Sequence, residues 1–390
     1  MKIALVTWSY NTYEGVSRCV VELANRLVSS HEVHIFASAF EQSPPEGVNV
    51  HKIDLRFRRQ YPAECEFILR VRTEVKRECF DVVHLHAPVL LPAQVLTSHG
   101  VFLSAFRSMR RFPSRPRRDV LYRRILIDYI QLLLFSYHIL HRKTLITAVT
   151  ERVRQEVVSF SRRQPEEVPV IPNGVDLDLF HPQLVKQWRK RTRADLGFRD
   201  DQFLLLFIGN DFRYKGVRYA IETIARLPEK AVLVVVGAGD PKSIPGSQDL
   251  LEGLMLSRRV VFVGQDREVW RYYGAVDALL FPSLYESFGL VVLEAMASGL
   301  PVVTARTVAF GDEVIRDGHN GFVVGCPWDV NEMAERIRTL MENPELGKSI
   351  GKRCRETAEL YSWDRYAELT EAVYEQVVNG SDSYVPEPSS

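Results

Sequence analysis

Apolar runs rich in Val, Ile, Leu and Phe alternate along the chain with longer amphipathic stretches. The short runs are bounded by Gly, Pro, Asn or Asp, which predicts buried strands of parallel sheets with helices on both faces. In the first half the predicted strands are Lys2–Thr7, Glu32–Ala37, Val48–Ile53, Asp81–His86, Gln94–Thr97 and Thr144–Ala148. In the second half they are Phe203–Ile208, Ala231–Val236, Val260–Val263, Asp277–Phe281, Pro301–Thr304 and Gly321–Val324. One design repeated in two halves predicts two α/β domains. Between them Val168-Pro169-Val170-Ile171-Pro172-Asn173-Gly174-Val175-Asp176 carries two prolines and an Asn-Gly turn, so the boundary is expected there. The expected domains are 1–170 and 171–361, with a solvated Arg/Lys-rich helix over Val185 to Asp195 leading into the second sheet. A last helix over 362–378, with Ser362 as N-cap before Trp363, and a frayed tail over 379–390 complete the prediction.

Composition narrows the class. A chain of 390 residues with 46% hydrophobic content can bury two cores. A formal charge of +1 gives no global argument for nucleic acid or an acidic polymer. The cysteines, Cys19, Cys65, Cys79, Cys326 and Cys354, are odd in number and lack Cys-x-x-Cys spacing, which suits core thiols in a reducing compartment. Met1 to Trp8 reads as an entering strand and not as a signal peptide. The longest apolar stretch, Ile125 to Leu140, is interrupted by Asp128, Gln131 and His138 and is not a membrane span. A cytoplasmic protein is expected.

The densest chemical signal is Pro282-Ser283-Leu284-Tyr285-Glu286-Ser287-Phe288-Gly289, which runs from a strand into a helix that Gly289 opens; Glu294 lies about two turns into it. Such a helix start presents free N–H groups that attract phosphate or hydroxyl oxygens. Two carboxylates there would repel phosphate, so hydroxyl groups are their natural partners. A ligand that is phosphate in one part and polyol in another fits both, which describes a sugar nucleotide. The bland alternative is a surface helix with two unrelated glutamates. A second strand-to-helix turn, Gly209-Asn210-Asp211-Phe212-Arg213-Tyr214-Lys215-Gly216, forms a natural anion site with Lys215 first in line for a diphosphate. Ordinary surface charges are the alternative for Lys215 and Arg213. Gly237-Ala238-Gly239 reads either as a phosphate-cradling loop or as turn glycines.

The Glu-x7-Glu spacing, with Ser-Phe-Gly after the first Glu and Ala-x-Ala-x-Gly-x-Pro-Val after the second, resembles the donor-site motif of family-4 retaining glycosyltransferases. Ile171-Pro172-Asn173-Gly174-Val175-Asp176 followed by Phe180, and the last helix headed by Trp363, have counterparts in the same family. The resemblance implies the GT-B fold: two Rossmann-like domains facing across a cleft, with the C-terminal helix crossing back to the N-terminal domain. It further implies that Glu294 binds ribose hydroxyls and Glu286 those of the transferred sugar. Lys215, Arg213 and the helix start Phe288, Gly289, Leu290 would then hold the diphosphate, and Val260 to Gly264 would lie near the base. The family's Gly-Arg-x-x-x-x-Lys-Gly loop supplies an Arg and a Lys, but Asn210 stands at the Arg position here. The variant Gly-x-Asp-Phe-x-x-Lys-Gly is similar to lipopolysaccharide core glucosyltransferases, which place an Arg beside the Lys. In this chain that neighbour is Tyr214, and Arg213 comes one position earlier.

In the first half, the loop after the first strand has only Gly15 where the family usually has Gly-Gly, with Glu14 replacing the first. A carboxylate close to a diphosphate is unfavourable unless it points away or binds an acceptor hydroxyl. His99 resembles the family's active-site histidine, at a strand end near the transferring sugar. His84 and His86 share one strand face, so zinc is considered for them, but no third and fourth ligand have clear spacing. Asp176-Leu177-Asp178 matches a metal motif of other transferases; its place after Pro-Asn-Gly-Val predicts a turn and N-cap instead.

Between Phe102 and Arg124 stand Arg107, Arg110, Arg111, Arg115, Arg117, Arg118, Arg123 and Arg124, against a single acid, Asp119. Phe102, Leu103, Phe106, Met109 and Phe112 interleave with them, a pattern that docks on anionic membrane surfaces or remains a solvated basic segment. No nucleic-acid module accompanies it.

The resemblance thus implies a retaining glycosyltransferase, metal-independent and without a cofactor. Its co-substrate would be a nucleotide diphosphosugar, a UDP-sugar first, and its acceptor a lipid-linked or anionic glycan hydroxyl reached at the inner face of the membrane through 102–124. The catalytic set would be His99, Lys215 and Glu286, acting by orientation and charge stabilisation as the domains close. One rival enzyme class shares the fold, the sugar-nucleotide 2-epimerases; a second rival, of another class, is a catalytically silent binding subunit. An oxidoreductase is disfavoured, since no Gly-x-Gly-x-x-Gly follows the first strand.

Overall fold

The computed structural model describes residues 1–57, 60–87, 89–100, 135–139, 143–244 and 258–380. The chain forms two compact units, the first made of Met1–Gly174 with the segment from Trp363 onward, the second of Val175–Ser362. The basic segment 102–124 and most of the predicted tail lie outside the described residues.

The first unit contains β1 (Lys2–Val6), β2 (Ser9–Tyr10), β3 (Glu32–Ala37), β4 (Ala39–Phe40), β5 (Asn49–Lys52), β6 (Val82–Leu85), β7 (Val95–Ser98) and β8 (Leu145–Ala148). Its main sheet is parallel, in the order β5-β3-β1-β6-β7-β8. Every side chain of β6 and β7 is buried, as expected where helices cover both faces. The helices are α1 (Gly15–Leu27), α2 (Gln60–Val75) and α3 (Glu151–Ser161), joined from the far end of the chain by a helix over Trp363–Asn379. That last helix packs on this unit: the Tyr374 hydroxyl meets His84 Nδ1 at 2.6 Å, and the Arg18 guanidinium lies 5.8 Å over the Trp363 ring.

The second unit repeats the plan with β9 (Phe203–Ile208), β10 (Ala231–Val236), β11 (Val260–Gly264), β12 (Ala278–Phe281), β13 (Val302–Ala305) and β14 (Phe322–Val324). The order is β11-β10-β9-β12-β13-β14, again parallel throughout. In each unit the strand order reverses once, between β1 and β6 and between β9 and β12. Ligands of such sheets bind beyond the carboxyl ends of the strands at that switch point. The covering helices are α4 (Pro182–Asp195), α5 (Val217–Ile224), α6 (Trp270–Ala275), α7 (Leu290–Ala297), α8 (Ala309–Val314), α9 (Val330–Glu342) and α10 (Pro344–Ala358); Trp363–Asn379 is α11.

The first unit ends at Gly174, inside the Val168–Asp176 segment; Ile171 N–H donates to the Ala148 carbonyl (2.8 Å) and Val170 bridges Ala148, holding this proline-rich segment against β8. One expectation needs correction. The Arg/Lys-rich helix is not simply solvated. Arg193 on α4 is only 2% exposed; it reaches Asp277 Oδ2 at 2.8 Å and the Ala275, Arg199 and Gln202 carbonyls. Arg189 takes the other oxygen of Asp277 at 2.6 Å. A buried guanidinium needs such full pairing to offset its lost hydration.

Candidate active site

In the second unit, the loops after β9 and β12 flank the switch point, and local chemistry brings them together. Asp211 Oδ1 accepts from Tyr214 N–H (2.9 Å) and the Asp211 carbonyl from Lys215 N–H (2.8 Å), closing a tight turn. Gly216 ends it with φ +80°, and a Cβ there would lie 2.0 Å from the Pro282 carbonyl oxygen. Only glycine lets the two loops approach so closely. Leu284 N–H then donates to the Tyr214 carbonyl at 3.0 Å.

These contacts set Lys215 beside Glu286, and the ammonium pairs with the carboxylate; both side chains are partly exposed. The glutamate's backbone is fixed separately. Its N–H donates to the Thr307 carbonyl, and its carbonyl accepts from Ala309 N–H, both at 3.0 Å. Thr307 Oγ1 in turn donates to the Ser283 carbonyl at 2.6 Å. A polar loop is thereby tied at both ends to the rigid β12–β13 edge.

Gly289, at φ +98°, opens α7 and no side chain caps that helix. Its first-turn amides therefore carry the partial positive charge of an open N-terminus. Phe288, buried, stacks on Phe310 at 4.5 Å and anchors the turn, while Leu290 is half-buried. One helix face further on, Glu294 is 6% exposed and its Oε2 accepts from the Tyr273 hydroxyl at 2.7 Å. Tyr273, on α6, is a site-supporting residue that sequence reasoning missed; nothing local in Trp270-Arg271-Tyr272-Tyr273 marks it.

Lys215, Glu286, Gly289 and Glu294 thus sit on two adjoining loops and the helix they enter. Asn210 is exposed, and its Oδ1 accepts from Ala238 N–H at 3.0 Å, which ties the β9 and β10 loops. Arg213 is half-buried in the Lys215 turn and makes no hydrogen bond or ion pair among the described residues. Gly237 and Gly239 pack against the Gly209 carbonyl and the Phe212 ring, so they serve close loop packing. Asp176 Oδ1 accepts from the Asp178 and Leu179 amides at 3.1 and 2.8 Å, closing a turn as the sequence predicts.

The first unit offers a different arrangement. Gly15 begins α1, and the Glu14 carboxylate turns back to Ser9 Oγ (2.6 Å), Ser17 Oγ (3.3 Å) and Asn11 Nδ2 (3.4 Å). The glutamate is therefore engaged by its own loop. His86 and His99 follow adjacent strands β6 and β7, with His86 Nδ1 3.2 Å from His99 Nε2. His84 lies under His86 at 4.2 Å between ring centroids and is held by Tyr374 and, at 2.7 Å, by Thr97 Oγ1. Burial pushes His99 down to about 4 and His84 to about 3, and moves His86 further in the same direction. All three rings are neutral near pH 7. No helix among the described residues is long and apolar enough to cross a membrane.

The "Glycosyltransferase Family 4" model matches residues 13–179, and the "Glycosyl transferases group 1" model matches residues 189–357. Lipopolysaccharide glucosyltransferase WaaG of Escherichia coli is 24% identical over 381 residues, spanning 93% of this chain and 96% of that protein. The crystal structure of WaaG, a glycosyltransferase involved in lipopolysaccharide biosynthesis, superposes with a TM-score of 0.78 at 23% identity, covering 97% and 100% of the two chains. Anabaena Alr3699/HepE, crystallised with UDP-glucose, gives 0.73 at 17% identity, covering 96% and 100%. With two parallel Rossmann-like sheets of the GT-B fold and both domain models matched in order, the chain belongs to the glycosyltransferases that join a family 4 domain to a group 1 domain.

Proposed function

We propose that this glycosyltransferase is a retaining, metal-independent hexosyltransferase that takes its sugar from a UDP-sugar. The observation that carries the reading is the Lys215–Glu286 pair beside the uncapped start of α7, with Glu294 buried one helix face away. On donor binding the Lys215 ammonium moves from Glu286 to the diphosphate, where the α7 amides add their dipole. Glu286 then accepts from hydroxyls of the sugar, and Glu294, oriented by Tyr273, from those of the ribose. As the bond from C1 to the leaving phosphate oxygen breaks, charge grows on the diphosphate and meets the fixed cation and amides. The acceptor oxygen bonds to C1, and its proton passes to the departing phosphate. Arg213, uncommitted in the same turn, is the second cation for these oxygens.

The donor assignment is supported by HepE, whose structure holds UDP-glucose, and by the glucosyltransferase name of WaaG. The acceptor is proposed to be a lipid-linked or anionic glycan at the cytoplasmic membrane face, on the strength of the arginine run over 102–124 and the lipopolysaccharide substrate in WaaG's name. A thermal-shift panel of UDP, GDP, ADP and their glucose conjugates tests the site. UDP and UDP-glucose should raise the melting temperature, and UDP-glucose turnover should persist in excess chelator. Stabilisation by GDP alone, or a strict need for manganese, would overturn the donor or the metal-free chemistry respectively. Conversion of the donor without any acceptor would instead identify an epimerase.

A further inference from the structure

We propose that His34, His51 and Glu78 form a binding site for one divalent transition-metal ion of the zinc class, on one face of the first unit's sheet at its β3–β5 edge. One ligand atom from each lies within 4.8 Å of the others. The placement follows from register. His34 on β3 pairs with Asn49 on β5, and Phe36 pairs with His51, so the two imidazoles project from one face of neighbouring strands. His34 Nδ1 stands 2.8 Å from His51 Nε2, with the rings stacked at 5.0 Å. Glu78 reaches them from the turn that leads into β6. The cluster sits at the β3–β5 edge of this sheet, three strands from β7, whose carboxyl end His99 follows.

Three features make this more than a polar contact. Glu32 Oε1 and Asn49 Nδ2 lie 2.9 and 3.3 Å from His34 Nε2; in the tautomer that donates from Nε2 to Glu32, the Nδ1 lone pair faces His51. A carboxylate behind the far nitrogen is the support that metal-bound histidines characteristically have. The rings are braced from outside, by Phe36 stacked on His51 at 4.2 Å and by Phe80 edge-on to His34 at 5.0 Å. The acids also already attract a cation: Lys2 Nζ bridges Glu78 at 2.8 Å and Glu32 at 3.1 Å, on a side chain that is 30% exposed.

Two imidazoles and one carboxylate select zinc-class ions over calcium or magnesium, with a water completing a tetrahedron. On binding, the proton shared between His34 Nδ1 and His51 Nε2 leaves for solvent or for His51 Nδ1, and Glu78 exchanges Lys2 for the metal. The ion would pin edge strand β5 to β3 and to the entry of β6, with no part in sugar transfer.

The test uses the untagged full chain, freed of metal by a chelator and titrated with Zn²⁺ by calorimetry and with Co²⁺ by visible absorption. One ion per chain should bind, Co²⁺ should give tetrahedral ligand-field bands, and Zn²⁺ should raise the melting temperature. His51→Ala and Glu78→Gln should each weaken binding by about tenfold or more, and Lys2→Met should tighten it. If His51→Ala fails to fold, the exposed Glu78→Gln decides. Absence of saturable binding, or full affinity and unchanged Co²⁺ bands in Glu78→Gln, would overturn the site. These readouts involve neither donor nor turnover, so they stand apart from the transferase chemistry.

Discussion

The two sheets share one strand order but handle polar side chains at their strand ends in opposite ways. At the ends of β6 and β7 the first unit places neutral rings, His86 and His99, bonded to each other, with His86 over His84, which Thr97 and Tyr374 hold by hydrogen bonds. At the ends of β9 and β12 the second unit places full charges, Lys215 and Glu286, each the other's counterion and each open to solvent. The contrast follows from desolvation. A buried imidazole can discard its charge and keep its hydrogen bonds, whereas an ammonium and a carboxylate that stay charged need water or each other. The same frame therefore holds neutral polar rings in one unit and a charged pair in the other.

Acidification should expose this difference most strongly. Unfolded histidines titrate near 6.5, while folded His84 and His99 do so at about 3 and about 4. The unfolded chain thus binds more protons through that interval, so stability is full above pH 6.5 and falls as pH drops toward the folded values. At pH 5 each of the two should cost about 2 kcal/mol relative to pH 7.5, with His86 adding in the same direction. Urea unfolding of the first unit at the two pH values measures this; a flat profile would mean that the rings are solvated. A charge at the other site comes next. Lys215→Ala should cost about 2–4 kcal/mol in kcat/KM with little loss of folding stability, because it removes a cation needed mainly in the transition state. A near-normal rate would place the diphosphate elsewhere. The smallest effect belongs to Tyr273→Phe, which deletes one hydrogen bond to the buried Glu294 carboxylate. It should weaken UDP-sugar binding by about 1–2 kcal/mol, seen as a raised KM with kcat nearly retained. An equal fall in kcat would mean that Glu294 acts on the transferring sugar instead.

The frame was legible because its strands are nearly unbroken apolar runs, such as Leu204-Leu205-Leu206-Phe207 and Ala231–Val236, whose burial any sequence of this kind enforces. All twelve predicted strands are present and differ only at their ends. The two-residue strands Ser9–Tyr10 and Ala39–Phe40, paired with each other, are too short to leave a period. Glu286, Glu294, Lys215 and the Gly289 helix start were legible because backbone requirements and charge concentrate in a few consecutive residues. Tyr273, Thr307 and the Arg193–Asp277 clamp were not, since each acts on a partner distant along the chain.

Taken alone, the sequence determined the alternation of buried strands and amphipathic helices, the two-domain plan, and which charged residues stand at the strand-to-helix turns. These are properties of neighbouring residues, set by hydrophobic period, glycine conformation and helix-end dipoles. Only the tertiary structure decided that Lys215 meets Glu286, that Glu14 is engaged by Ser9 and Ser17, that Arg193 is buried, and that His34, His51 and Glu78 converge. Each of those outcomes depends on strand register and on which loops share a sheet edge, and contacts across such distances carry no mark in local composition.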